Sequence, residues 1–109
     1  MMADDMTWEI IGTTSWSRTF TGKAEVLSRL LAPLARNFEG SNTVSADRFV
    51  AENDIVVVEG RNHSTTKRGK PYANRYSWSF RFREGKVVEV VEYCDTQLIV
   101  DVLDPLEMP

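Results

Sequence analysis

The sequence predicts an α+β fold in which one helix packs against one face of a curved antiparallel sheet. Three observations predict it. Apolar residues recur at three- and four-residue spacing between Val26 and Phe38, the mark of an amphipathic helix. From about Thr43 onward the period changes to two, the mark of half-buried strands. Polar turn signals then cut the alternating region into four segments, which makes an antiparallel meander.

The elements follow in order. Met6–Ile11 reads as a short strand, broken by Gly12 and the Thr/Ser residues behind it. Thr21 reads as a helix N-cap. Val26, Leu27, Leu30, Leu31, Leu34 and Phe38 form the buried stripe of the helix. Pro33 lies within that stripe and predicts a kink or break near Leu30–Ala32. Glu39-Gly40-Ser41-Asn42 ends the helix. Val44–Ala51 is a strand, Asn53-Asp54 a turn, and Ile55–Thr65 a strong strand. Thr66–Lys70 is a polar turn. Tyr72–Arg83 alternates, with Asn74, Tyr76, Trp78, Phe80 and Phe82 on one face and Arg75, Ser77, Ser79, Arg81 and Arg83 on the other. Glu84-Gly85 is a two-residue hairpin connection, and Lys86–Tyr93 is the last strand. Asp95 caps one or two helical turns over Thr96–Leu103, which Pro105 stops.

The chain has 109 residues, enough for one core, and reads as a single domain over 1–109. A net charge of −3 gives no argument for nucleic acid or an anionic membrane as partner. No apolar run approaches membrane-spanning length, and the N-terminus lacks a signal-peptide pattern. The single cysteine, Cys94, fits a reducing compartment, so a cytoplasmic location is expected. No His/Cys/Asp cluster has metal-ligand spacing, and there is no Gly-rich phosphate loop or nucleophile elbow. The expectation is therefore no metal and no cofactor.

Glu92 stands where the last strand would ordinarily carry an apolar residue. A strand that turns acidic near its buried end lines a cavity, and one carboxylate among aromatics can bind or deprotonate a small molecule. By alternation Val88, Val90 and Glu92 share a face. In an apolar surrounding the carboxyl pKa rises, which suits general acid–base work near neutral pH. Asn74 and Tyr76 share a face with Trp78 and suit the orientation of a carbonyl or hydroxyl. Asn62 and Ser64 share a face with Gly60 one strand away. His63 points the opposite way and reads as a surface or dimer-face histidine.

Three motifs carry a resemblance. They are Gly69-x-Pro71-Tyr72-x-Asn74-x-Tyr76, Phe80-x-Phe82-x-x-Gly85-Lys86-Val87 and Glu92-Tyr93-x-Asp95-Thr96. With Trp8, Gly22-Lys23 and Pro33-Leu34 ahead of them, the chain resembles the SnoaL-like branch of the NTF2-like superfamily from about Met6 to Thr96. Relatives in that superfamily include ketosteroid isomerases, polyketide cyclases and limonene epoxide hydrolases. The resemblance implies a cone-shaped cavity, an apolar small-molecule ligand, a homodimer with sheets face to face, and an acid–base carboxylate at the Glu92 position. It adds Asn74, Tyr76, Trp78, Asn62, Ser64 and Trp8 as substrate-binding candidates. Gly60 and Asn62 stand where the epoxide hydrolases use an Arg and an Asp, so that hydrolysis is not expected. Such domains usually begin with one or two helices that close the cone. This sequence starts almost on its first strand, so those lid helices are expected to be missing. Two functions remain open: a cofactor-free isomerase or cyclase with Glu92 as base, and a non-catalytic ligand-binding or dimerisation module.

Overall fold

The computed structural model describes residues 1–107. Strand β1 spans Met2–Ile10 and pairs with a short β2, Thr19–Thr21, through Thr7–Thr21, Trp8–Phe20 and Glu9–Thr19. The first strand thus begins four residues before the expected Met6. Thr21 is a strand residue, not the expected helix cap. The helix starts after Gly22, whose φ of 92° suits a residue without Cβ. The Thr21 backbone N–H instead donates to the Glu25 carboxylate at 2.9 Å.

The helix runs as α1 (Lys23–Glu25), a π-helical stretch (Val26–Leu31) and α2 (Ala32–Ala35). Proline at 33 has no N–H to donate, and its ring crowds the carbonyl four residues back. The backbone answers by widening into π turns directly ahead of it. The break expected near Leu30–Ala32 is therefore a change of helix type within a continuous helical run. Val26 and Leu30 are buried on its inner side.

The remaining strands are β3 (Val44–Glu52), β4 (Ile55–Asn62), β5 (Ser64–Thr65), β6 (Pro71–Tyr72), β7 (Arg75–Arg83) and β8 (Lys86–Cys94). Helix α3, Thr96–Val102, follows, and Asp95 caps it by accepting from the Gln97 and Leu98 backbone N–H groups. The main sheet has the order β2-β1-β8-β7-β4-β3, and β5-β6 form a separate pair. The four-strand meander is antiparallel as expected, whereas β1 lies parallel to β8. The long strands expected at Ile55–Thr65 and Tyr72–Arg83 each break, at His63 and at Ala73-Asn74. Glu84 and Gly85, with φ of 52° and 78°, make the expected two-residue hairpin turn.

Besides a register shift in β1 between Met2 and Thr7, two bulges curve the sheet. One lies in β3 between Ala46 and Arg48. Gly60 sits opposite it, and a Cβ there would stand 2.5 Å from the Ser45 carbonyl oxygen and 3.2 Å from the Trp78 ring. Only glycine lets β3 bend this closely over β4 while the indole lies across it. The second bulge, in β8 beside Phe82, pairs Phe82 with Val87. It turns Val87 into the core and removes Val88 from the face expected to hold Val90 and Glu92. The core gathers Met6, Phe20, Val26, Leu30, Val90 and Ile99 between helix and sheet.

Candidate acid–base and ligand-binding site

The concave side of the sheet is not filled by side chains. A cavity of about 420 Å³ opens between the helix and β4, β7 and β8. Its walls are mostly apolar: Leu31, Leu34, Val58 and Phe80 on the flanks, with Trp16, Ile99 and Leu103 also on the lining. Polar groups are few, namely Glu92, Tyr72, Tyr76, Asn42 and the indole N–H groups. Among the described residues no lysine, arginine or histidine lines it.

Strand alternation explains how Glu92 enters. Val90, Glu92 and Cys94 face one side of β8, and Glu92 pairs with Trp78 on β7. On its other flank Glu92 pairs with Ile10, two residue pairs beyond Trp8. Both indoles turn toward the carboxyl group. Trp78 Nε1 donates to Glu92 Oε1 at 3.1 Å, and Trp8 Nε1 donates to the same oxygen at 3.3 Å. The other oxygen, Oε2, has among the described residues only the Cys94 thiol, 4.0 Å away. Burial pushes the Glu92 pKa up from the ordinary carboxylate value, and the two indole hydrogen bonds oppose this only in part. Burial, with the nearby Glu92 carboxylate, also pushes the Cys94 thiol up to about 12, so it stays protonated.

A second polar group sits beside the first. The Tyr76 ring stacks on Trp78, centroids 4.5 Å apart and planes 10° from parallel. The Tyr76 hydroxyl lies 3.0 Å from that of Tyr72. Asn74 Nδ2 donates to the Tyr72 hydroxyl at 2.8 Å. Two phenols that share one hydrogen bond use one proton between them, so one phenolic proton remains to be donated. Burial raises both phenols, Tyr72 to about 12 and Tyr76 further, so both act as donors and not as acids.

Of the seven residues named from the sequence, Glu92, Trp8, Tyr76 and Trp78 meet on the cavity wall. Asn62, Ser64 and Asn74 do not line it. They are buried behind the wall, Asn62 and Asn74 completely, with their polar atoms committed to backbone groups, to Asn42 Oδ1 and to the Tyr72 hydroxyl. The reason is the strand break at Ala73-Asn74, which turns the Asn74 side chain toward Asp95. Tyr72 and Asn42 are lining residues that the sequence reading did not select. The period-two alternation through Tyr72, Asn74 and Tyr76 held the signal for Tyr72. Asn42 lies in a helix-ending turn with no periodic signal. His63 is exposed, 3.2 Å from the Ser45 hydroxyl. Among the described residues no group of His, Cys, Asp or Glu is placed to hold a metal ion. No described helix is long and apolar enough to cross a membrane.

Comparisons with known proteins agree with this architecture. TerC, crystallised with polyporic acid, superposes with a TM-score of 0.79 at 24% identity, over 93% of this chain and 78% of TerC. An NTF2-like protein from Burkholderia thailandensis E264 gives 0.81 at 24% identity, over 95% and 80% of the two chains. A candidate SnoaL-like polyketide cyclase from Jannaschia sp. CCS1 gives 0.80 at 16% identity, over 94% and 72%. No curated protein matches the sequence. These likenesses establish the fold, and the sequence profile of the SnoaL-like domain matches residues 1–90. The chain therefore belongs to the SnoaL-like domain family.

Proposed function

We propose that the cavity binds an apolar, carbonyl-bearing small molecule and that Glu92 moves a proton on it without a cofactor. One observation carries the reading: a desolvated carboxyl group whose Oε1 is held by two indoles and whose Oε2 is left for the ligand. Glu92 Oε2 takes a proton from the carbon next to the carbonyl. The C–H electron pair passes to the carbonyl oxygen, where the spare phenolic proton of the Tyr72–Tyr76 pair stabilises the enolate. Return of the proton to another carbon completes an isomerisation. Attack of the enolate on a second carbonyl completes an aldol cyclisation. Stacked Tyr76 and Trp78 hold a flat ligand, and Asn62, Ser64 and Asn74 act on it only by fixing the lining residues. The relative crystallised with polyporic acid supports a small organic ligand.

The measurement that tests this is a carboxyl-carbon NMR titration of Glu92, with Glu92→Gln as assignment control. The expected midpoint lies above the unperturbed value of ~4.3. An unshifted midpoint removes the base and leaves a binding module. The exposure of Phe49, 66% on the cavity side of β3, is what favours that second reading, because acid–base catalysis works best with water excluded.

The homodimer belongs to the same proposal. The outer face of the sheet carries a row of Val50, Val57, Ser79 and Val91, with Tyr93 beside it. Val50 is 54% exposed and Tyr93 48%. Arg48–Glu59 and Arg81–Glu89 ion pairs flank the row. Sedimentation is expected to show a dimer that Val57→Glu dissociates. A wild-type monomer at tens of micromolar would refute it.

A further inference from the structure

We infer that Asn42 is a fixed hydrogen-bond donor that selects cavity ligands carrying an acceptor oxygen. The inference rests on the reading that the cavity binds a small molecule. Its argument begins with a group that cannot reverse. The Asn74 backbone N–H can only donate, and it donates to Asn62 Oδ1 at 2.7 Å. That fixes the Asn62 amide, so its Nδ2 must point the other way. Asn62 Nδ2 donates to Asn42 Oδ1 at 3.2 Å.

A second fixed donor agrees. The Thr43 backbone N–H donates to Ser64 Oγ at 3.2 Å, which leaves the Ser64 proton to be given elsewhere. Ser64 Oγ gives it to Asn42 Oδ1 at 2.6 Å. Two donors on Oδ1 therefore set the Asn42 amide in one orientation. The buried residues behind it are spent in doing so, Asn62 at 0% exposure and Ser64 at 7%.

What remains is Asn42 Nδ2. Asn42 lines the cavity, and an amide nitrogen offers two N–H donors and accepts nothing. A hydroxyl, which can donate or accept, would have adapted to either kind of ligand. This amide is preset before the ligand arrives, which lowers the cost of ordering it on binding. It is also separate from the acid–base end. Asn42 reaches the cavity from the turn ahead of β3, where Asn62 of β4 and Ser64 of β5 hold its amide, whereas Glu92 enters from β8. A ketone or quinone oxygen meets this donor well. A hydrocarbon leaves it unpaired and desolvated, which is the larger penalty.

The test uses two probes of the same shape, 2-acetylnaphthalene and 2-ethylnaphthalene, titrated calorimetrically at pH 8. The expected wild-type result is a ketone affinity about tenfold above that of the hydrocarbon. Asn42→Asp keeps Oδ1 for Asn62 and Ser64 and replaces the donor by an acceptor. It is expected to cut the ketone's advantage severalfold, because the carboxylate offers a carbonyl oxygen no donor, and what remains is owed to the Tyr72–Tyr76 phenol. Asn42→Ala, checked by thermal melting, serves if the first variant does not fold, and carries the same expectation. Equal wild-type affinities, or a ketone advantage undiminished in both variants, would overturn the role of Asn42 and leave the cavity reading intact. Failure of both probes to bind the wild type would overturn the two together.

Discussion

Glu92→Gln is expected to lower base-catalysed ring opening of 5-nitrobenzisoxazole at least ~100-fold, the low end of what a positioned general base contributes. This probe is small, flat and neutral, and its ring opens when a base removes one C–H proton. It needs no knowledge of the natural substrate. Glutamine has nearly the shape of glutamate, and its oxygen can still accept from Trp8 and Trp78. What it lacks is a basic Oε2. The wild-type rate should rise with pH as the carboxyl ionises and level off above its raised pKa. The stability effect has a definite sign. The folded state binds the Glu92 proton more tightly than the unfolded chain does, so wild-type stability falls as pH rises from ~4.3 through the raised value. Below that window the effect is absent, and above it the penalty is complete. Glu92→Gln removes the penalty, so at neutral pH it should melt no lower than wild type. Lost turnover with unimpaired melting assigns the proton transfer to Glu92. Retained turnover would end the base hypothesis.

The parts of this site that were legible in the sequence are those set by strand alternation alone. Tyr76, Trp78 and Phe80 alternate without interruption, and all three reach the cavity. Glu92 stands out because a charge occupies an apolar phase of β8. Pro33 marks its helix because a missing N–H acts locally. Alternation fails where the backbone changes phase. The bulge beside Phe82 exchanges Val88 for Val87, and no residue type there announces it. The break at Ala73-Asn74 sends Asn74 behind the wall, a turn fixed by distant Asp95 and Asn62. β2 is three residues long, too short for a period. The parallel pairing of β1 with β8 joins the two ends of the chain, and nothing near either end encodes it.

Asn74 supplies the largest expected effect on stability. Asn74→Ala should cost about 3–5 kcal/mol, by the mechanism of a broken buried network. The residue is fully buried, and its side chain makes four hydrogen bonds. Oδ1 accepts from the Arg75 and Asp95 backbone N–H groups at 2.8 and 3.0 Å. Nδ2 donates to the Tyr72 hydroxyl and, at 3.0 Å, to the Asp95 carbonyl. Alanine strands two backbone donors that cannot turn away, and each orphaned group costs roughly 1–3 kcal/mol. In a domain of this size such a loss lowers Tm by roughly 15 °C or more. Tyr72→Phe is the control for the cavity end of the same network. It removes one hydroxyl that only touches side chains, and should cost about 1 kcal/mol. Thermal melting of the two variants side by side separates scaffold from site. If Asn74→Ala melted as close to wild type as Tyr72→Phe, the amide would not be holding β7 to the start of α3. The anchoring of the Tyr72 hydroxyl by Asn74 Nδ2, and with it the placement of the enolate-stabilising phenol pair, would then lose its support.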